Sequence, residues 1–430
     1  MSEQGSDRAL LAGVNAAPIA PVPRISIQAF CETSDVAQNI ERVSVDRRMA
    51  KAQTKVQMGG VPAAIEAFRS APTPNLILIE SMANRLTHVE QLEILAGSCD
   101  PGTKVIVIGH ENDIALYRDL IARGVSDYLT APLDLLTIIR QISQLYAPGA
   151  TQTIGRVISV IGAKGGVGAS TICHNLAWSI SQKIGEQCVI VDLDLPFGTL
   201  GLDFNQDPLQ GVADAILAPE RIDANFIDRL MWKCGERLHI LAAPVALERV
   251  YDLPEYAFDA IIDILRTSVP AVLLDLPHQW SGWTKRVLLN SDEIVIVATP
   301  DLANLRNAKM LLDLLKGARR GDRPPNIVLN NTGLPREIRP PEHFIKQIEA
   351  ENFVAIPFEP KLFGTAANNG QMIEEADRNS KIVTQLDELA QTLMGKGMAR
   401  RRQKRLIGPL LERFARGKQA EKKPGVGEAI

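Results

Sequence analysis

Val157-Ile158-Ser159-Val160-Ile161-Gly162-Ala163-Lys164-Gly165-Gly166-Val167-Gly168-Ala169-Ser170-Thr171 is the stretch that decides the fold of this chain. Its apolar opening reads as a buried strand, its glycines as a tight loop, and the run through Asn175-Leu176-Ala177 as a helix. Glycines at such a junction let backbone N–H groups turn inward around a phosphate, and the helix N-terminus adds the positive end of its dipole. The Ser170 hydroxyl falls where Mg²⁺ would take a ligand. A Gly-rich turn that holds nothing is the plain alternative, and the length and order of the motif weigh against it. The candidate nucleotide-binding residues are Gly165, Gly166, Val167, Gly168, Ala169, Ser170 and Thr171.

Downstream, short apolar runs at 188–194, 238–244, 271–277, 293–300 and 326–331 are mostly separated by helical stretches, as a doubly wound α/β sheet requires. Asp192 and Asp194 close the first of these runs, and Asp275 closes the run beginning at Ala271. A single Asp at a strand end is usually a cap or turn residue. Three of them after parallel strands fit a ligand site, because such sheets bind ligands at the carboxyl ends of their strands.

The segment Lys164–Thr171 resembles the deviant Walker A loop of the ParA/MinD superfamily, whose distinguishing lysine is here Lys164. The resemblance implies a P-loop NTPase that binds ATP and Mg²⁺ and forms a homodimer with ATP, Lys164 reaching the partner's phosphates. It also implies Ser170, Asp192 and Asp275 as metal ligands, directly or through water, and Asp194 as the residue that orients the attacking water. Asn330 and Pro357 resemble the base-contacting positions. The chain departs from the pattern at Ala169, where the usual P-loop lysine belongs, and at Ala163, where a glycine is expected. Longer stretches, 192–204, 274–283 and 357–373, are similar to the CpaE/TadZ branch, which tolerates an altered P-loop lysine. That branch implies a cytoplasmic, often polar, localisation factor for the Tad (Flp) pilus machinery, with pilus and secretion proteins as partners and weak hydrolysis.

Upstream, runs at 25–30, 75–80, 104–109 and 126–129 form a second α/β series, expected to be a receiver-like, flavodoxin-like domain over 24–146. A working receiver needs a phosphoacceptor Asp, a Ser or Thr and a Lys at three strand ends. Glu80, Gly109 and Ala131 stand there, and only Glu32 is acidic after the first run. A pseudo-receiver for docking or dimerisation is the expectation. Residues 1–23 read as a flexible leader, 147–155 as a linker, 156–395 as the ATPase domain and 396–430 as a basic tail.

With 430 residues, two domains are the natural prior, and a net charge of −3 argues against whole-molecule nucleic-acid binding; no specific nucleic acid is expected. Five scattered cysteines without a CxxC pair suggest free thiols in a reducing cytosol and leave no iron–sulfur set. Neither a signal peptide nor a membrane-crossing run is expected. The last 35 residues hold eleven Lys/Arg against three Glu. Within 398–416 an Arg cluster adjoins Leu406, Ile407, Leu410, Leu411 and Phe414 at helical spacing, a candidate for peripheral contact with the inner face of the cytoplasmic membrane, for a partner groove, or for plain solvation. The competing function is a MinD/ParA-type positioning ATPase for division, flagella or DNA partition, which would be expected to keep the P-loop lysine.

Overall fold

The computed structural model describes residues 17–82, 85–146, 154–243, 247–334 and 340–396. The first domain is a five-stranded parallel sheet of β1 (Ser26–Cys31), β2 (Gln53–Met58), β3 (Leu76–Glu80), β4 (Lys104–Gly109) and β5 (Asp127–Thr130). Its order, β2-β1-β3-β4-β5, is the flavodoxin-like order that the receiver reading anticipates. All five residues of β3 are buried, with Leu76 and Leu78 packing into one helical layer and Ile77 and Ile79 into the other. β2 escapes a search for apolar runs because it is an edge strand with largely exposed Gln53, Lys55 and Gln57. Ile19 and Val22, read from sequence as part of the leader, are buried against this domain, and Val22 N–H donates to the Arg48 carbonyl at 2.7 Å.

The second domain is an eight-stranded sheet: β6 (Arg156–Gly162), β7 (Cys188–Asp192), β8 (Trp232–Lys233), β9 (Leu238–Leu241), β10 (Ala271–Leu276), β11 (Glu293–Ala298), β12 (Asn326–Thr332) and β13 (Asn352–Pro357). The order is β13-β12-β11-β6-β10-β7-β9-β8, parallel except for the β8–β9 pair. β6, β7, β10 and β11 are buried along their whole length, which is why they read as continuous apolar runs. Helices cover both faces, and β6 pairs with β11 on one side and β10 on the other. A crevice opens at the carboxyl end of such a strand. Among the described residues no helix is long and apolar enough to cross a membrane. The tail segment 398–416 and most of the linker, 147–153, lie outside the described residues.

The domains meet through buried charge. Arg47 donates from Nε to Asp322 Oδ2 (2.9 Å), from Nη1 to the Asn290 carbonyl (2.6 Å) and from Nη2 to Asp292 Oδ1 (3.3 Å). Arg48 and Arg319 converge on the same Asp322, and Arg266 on Asp292. Burial opposes the charge on Asp322, but Arg47, Arg48 and Arg319 together hold its carboxyl well below the usual carboxylate range.

Candidate functional site

β6 delivers the chain into the loop at the crevice. Gly166 (φ +78°) and Gly168 (φ +86°) sit in the left-handed region, and a Cβ on Gly168 would lie 2.7 Å from Asn330 Nδ2. The loop is pinned from two strands, β11 and β12, and from the helix Leu302–Ala318. Ala163 N–H donates to the Val297 carbonyl, Asn307 Nδ2 to the Ala163 carbonyl and Asn330 Nδ2 to the Val167 carbonyl, each at 2.8 Å. Lys164, Gly165 and Gly166 are exposed, Val167 is buried, and Gly168, Ala169, Ser170 and Thr171 are half-buried at the start of the helix Ala169–Ser179. The helix therefore points an uncapped, partly accessible N-terminus at the crevice, as anion binding requires.

Asp192 and Asp275 are register partners on β7 and β10 and both are buried. Asp192 accepts from the N–H of Asp194 (3.0 Å) and of Leu200 (3.2 Å), so it braces the loop that leaves β7. Burial first, and the neighbouring Asp275 second, raise its pKa. Asp194 is half-buried, accepts from Phe197 N–H at 3.2 Å, and is likewise raised, mainly by burial. Asp275 Oδ1 is buried and has no hydrogen-bond partner among the described residues. A buried orphan carboxylate oxygen beside the Ser170 hydroxyl's helix is the hard oxygen donor Mg²⁺ takes, so the residues present fit that ion.

Lys164 lies with Nζ 3.7 Å from Asp301 Oδ2 of its own chain, in a pair open to solvent. Asp301 in turn caps the helix Leu302–Ala318 by accepting from Asn304 N–H. Asn330 is nearly inaccessible and occupied with the loop carbonyl. Pro357 ends β13, at the far side of the sheet from β7, beside the exposed Phe358. The loop residues Lys164 to Thr171 and Asp192, Asp194, Asp275 and Asn330 thus lie at the carboxyl ends of β6, β7, β10 and β12.

One residue of the site was not picked out from sequence. His174 sits four residues after Ser170, hence on the same helix face, and is fully buried. Its Nδ1 is 2.7 Å from Asp203 Oδ2, and its Nε2 is 3.4 Å from Asp275 Oδ2, a charge contact without a formed hydrogen bond. Burial pulls its pKa down, but Asp203 and Asp275 overcome this and push it up to about 10. His174 thus ties Asp203 to the back of Asp275 in a chain that has Ala169 at the P-loop lysine position. The i, i+4 spacing from Ser170 was the available signal.

In the first domain, the place of a phosphoacceptor is filled by Glu80. Its Oε2 accepts from the N–H of Glu32 (2.7 Å) and Thr33 (2.8 Å), and its Oε1 from Thr33 Oγ1 (2.6 Å), with His110 Nε2 at 2.9 Å. Burial is the largest influence on this carboxyl and would raise it, but these donors lower its pKa overall. Gly109 stands where a Ser or Thr would, and a Cβ there would lie 2.0 Å from the Tyr128 hydroxyl, so that ring would have to move. Incubation with acetyl phosphate followed by intact-mass analysis should yield no adduct on residues 24–146; a stoichiometric acyl-phosphate would contradict this reading of Glu80.

Strand, glycine loop, helix N-terminus and strand-end aspartates define the class: an α/β domain with a P-loop NTPase core, joined to a receiver-like domain. A family model, AAA_31 (AAA domain), matches residues 155–324. The pilus assembly protein CpaE of Caulobacter crescentus is 47% identical over 98% of its own chain and 30% of this one, with a TM-score of 0.30. A ParA family ATPase from Chlorobium tepidum is 25% identical over 98% of its chain and 55% of this one, with a TM-score of 0.50. The septum site-determining protein MinD of Thermotoga maritima is 24% identical over 90% of its length and 57% of this chain. Residues 155–324 thus match an AAA_31 domain, and the chain is similar to ParA and MinD ATPases and to CpaE pilus assembly proteins.

Proposed function

We propose that this chain binds Mg²⁺·ATP at Lys164–Thr171, dimerises through that face, and acts as a localisation and assembly factor for a Tad-type pilus, with hydrolysis slowed by Ala169. The observation that carries the nucleotide reading is the orphaned Asp275 Oδ1 across from a braced loop with an uncapped helix N-terminus. Ser170 and Asp275 would hold the ion and Asp192 would help position it; Mg²⁺, when bound, would neutralise charge on the phosphates. Asp194, on the more accessible side of its loop, orients the attacking water. Large exposed apolar side chains support the dimer: Phe197 (69% exposed) lies three residues after Asp194, Trp280 (53%) five after Asp275, and Leu302 (70%) next to Asp301, the partner of Lys164. A second copy covers them and frees Lys164 from Asp301 for the partner's phosphates.

Titration with a fluorescent ATP analogue tests the site: Asp275→Asn should weaken binding in Mg²⁺ far more than in EDTA, and equal affinity with and without Mg²⁺ in the wild type would contradict it. The pilus role rests on what the CpaE relative is called. Deleting the gene should abolish surface pili and leave division-site placement intact; the reverse outcome favours the septum-type alternative. The segment 398–416 is proposed as the membrane contact. The full-length protein should bind anionic vesicles less tightly as salt rises, since exposed charges are screened over roughly 8 Å at physiological ionic strength. No binding at low salt with ATP would assign the segment to a protein partner instead.

A further inference from the structure

The chain that leaves the loop after β7 forms a second concave surface, separate from the nucleotide crevice. The helix Ala224–Leu230 runs into β8, the outermost strand on that side of the sheet. Beside it opens a cleft whose lining includes Arg221, Arg229, Arg249, Phe226, Leu217 and Asp214. Two of the arginines share one aromatic shelf: the Arg221 guanidinium lies 4.7 Å from the Phe226 ring centroid and that of Arg229 5.9 Å. Stacking on a buried ring holds two long cationic side chains in place before any ligand arrives, which lowers the ordering cost of binding.

None of the three arginines has an ion-pair partner among the described residues, whereas Arg47, Arg156 and Arg286 each form one. The one carboxylate in the lining, Asp214, already accepts from Gly211 N–H at 2.9 Å through Oδ2. Planar guanidinium forks suit carboxylates, which they can take with two parallel hydrogen bonds. Leu217 in the lining is 53% exposed and the adjoining Leu209 86% exposed, so apolar surface sits beside the cations. Carboxylate-binding forks next to exposed leucines match a peptide that carries both acidic and apolar side chains. A nucleic-acid backbone would instead want cations spaced along a path, and no apolar seat.

We propose that this cleft is a docking site for an acidic segment of a partner protein, its carboxylates taken by Arg221, Arg229 and Arg249 and an apolar side chain seated on Leu217. The site does not depend on the nucleotide reading, because no residue of the crevice takes part. The full-length protein is titrated, without nucleotide, into a fluorescein-labelled peptide of alternating Glu and Leu at low salt, and anisotropy is read. Saturable binding that weakens with salt is expected. It should weaken by at least about tenfold in the Arg221→Gln/Arg229→Gln/Arg249→Gln variant, as loss of charge-complementary contacts implies. Leu217→Ser alone should weaken it without changing the salt dependence, and a Gln-for-Glu peptide should fail to bind. All four side chains are exposed, so unchanged thermal melting will show the variants folded. No saturable binding, equal binding by the triple variant, or displacement of the peptide by oligothymidylate would overturn the proposal.

Discussion

Replacing Asp322 with alanine should destabilise the folded chain by about 3–5 kcal/mol, the usual cost of removing one partner from a buried ion pair. Arg47, Arg48 and Arg319 all converge on this carboxylate, and Asp322 and Arg319 are both nearly inaccessible. Without it, three buried guanidiniums lose a shared counter-charge, and among the described residues Arg48 keeps only Asp46. The sign with pH follows from the depressed pKa of Asp322. A carboxyl lowered on folding contributes stability that is full above the unfolded value, about 3.9, and is lost as pH falls through the folded one. The gap between wild type and Asp322→Ala should therefore be wide at neutral pH and narrow under strongly acid conditions. Urea midpoints at several pH values measure it. An unchanged midpoint at neutral pH would mean that the domains are held together by something other than this network.

The second large effect is a gain. Ala169→Lys should tighten Mg²⁺·ATP by about one to two decades, since a hydrogen bond to a charged group contributes roughly 1.5–3 kcal/mol. Ala169 is half-buried at the first position of its helix, where the loop backbone, Ser170 and Asp275 already surround the phosphate site. Turnover should rise by more than affinity, because charge that accumulates in the transition state gains a stabilising group. If Ala169→Lys leaves ATP affinity unchanged, the loss of the lysine is not what distinguishes this loop.

Much of the fold was legible because its central strands are buried on both faces and therefore spell continuous apolar runs, as β3, β6, β10 and β11 do. β2 and β8 were not legible, being edge strands with polar or very short sequences. The site was legible where chemistry demands a residue type at fixed spacing, as in Lys164–Thr171. Roles set by tertiary contact were not. Asp192 reads as a strand-end acid, yet its carboxylate is occupied with two backbone N–H groups of its own loop. Asn330 is tied to Val167. His174 reads as one more residue on an inward helix face, and only the folded chain sets it between Asp203 and Asp275. Arg47 and Arg48 look like ordinary surface arginines until Asp322, far along the chain, closes on them.

The central claim is that this crevice takes ATP and that the nucleotide assembles a dimer through Lys164. Light scattering after size exclusion, on wild type and Lys164→Ala with Mg²⁺·ATP, Mg²⁺·ADP or no nucleotide, tests it most directly. The account predicts a dimer mass for the wild type with ATP alone, and a monomer for Lys164→Ala under every condition with unchanged thermal melting. A wild type that stays monomeric with saturating ATP, or a Lys164→Ala chain that dimerises as the wild type does, would contradict it.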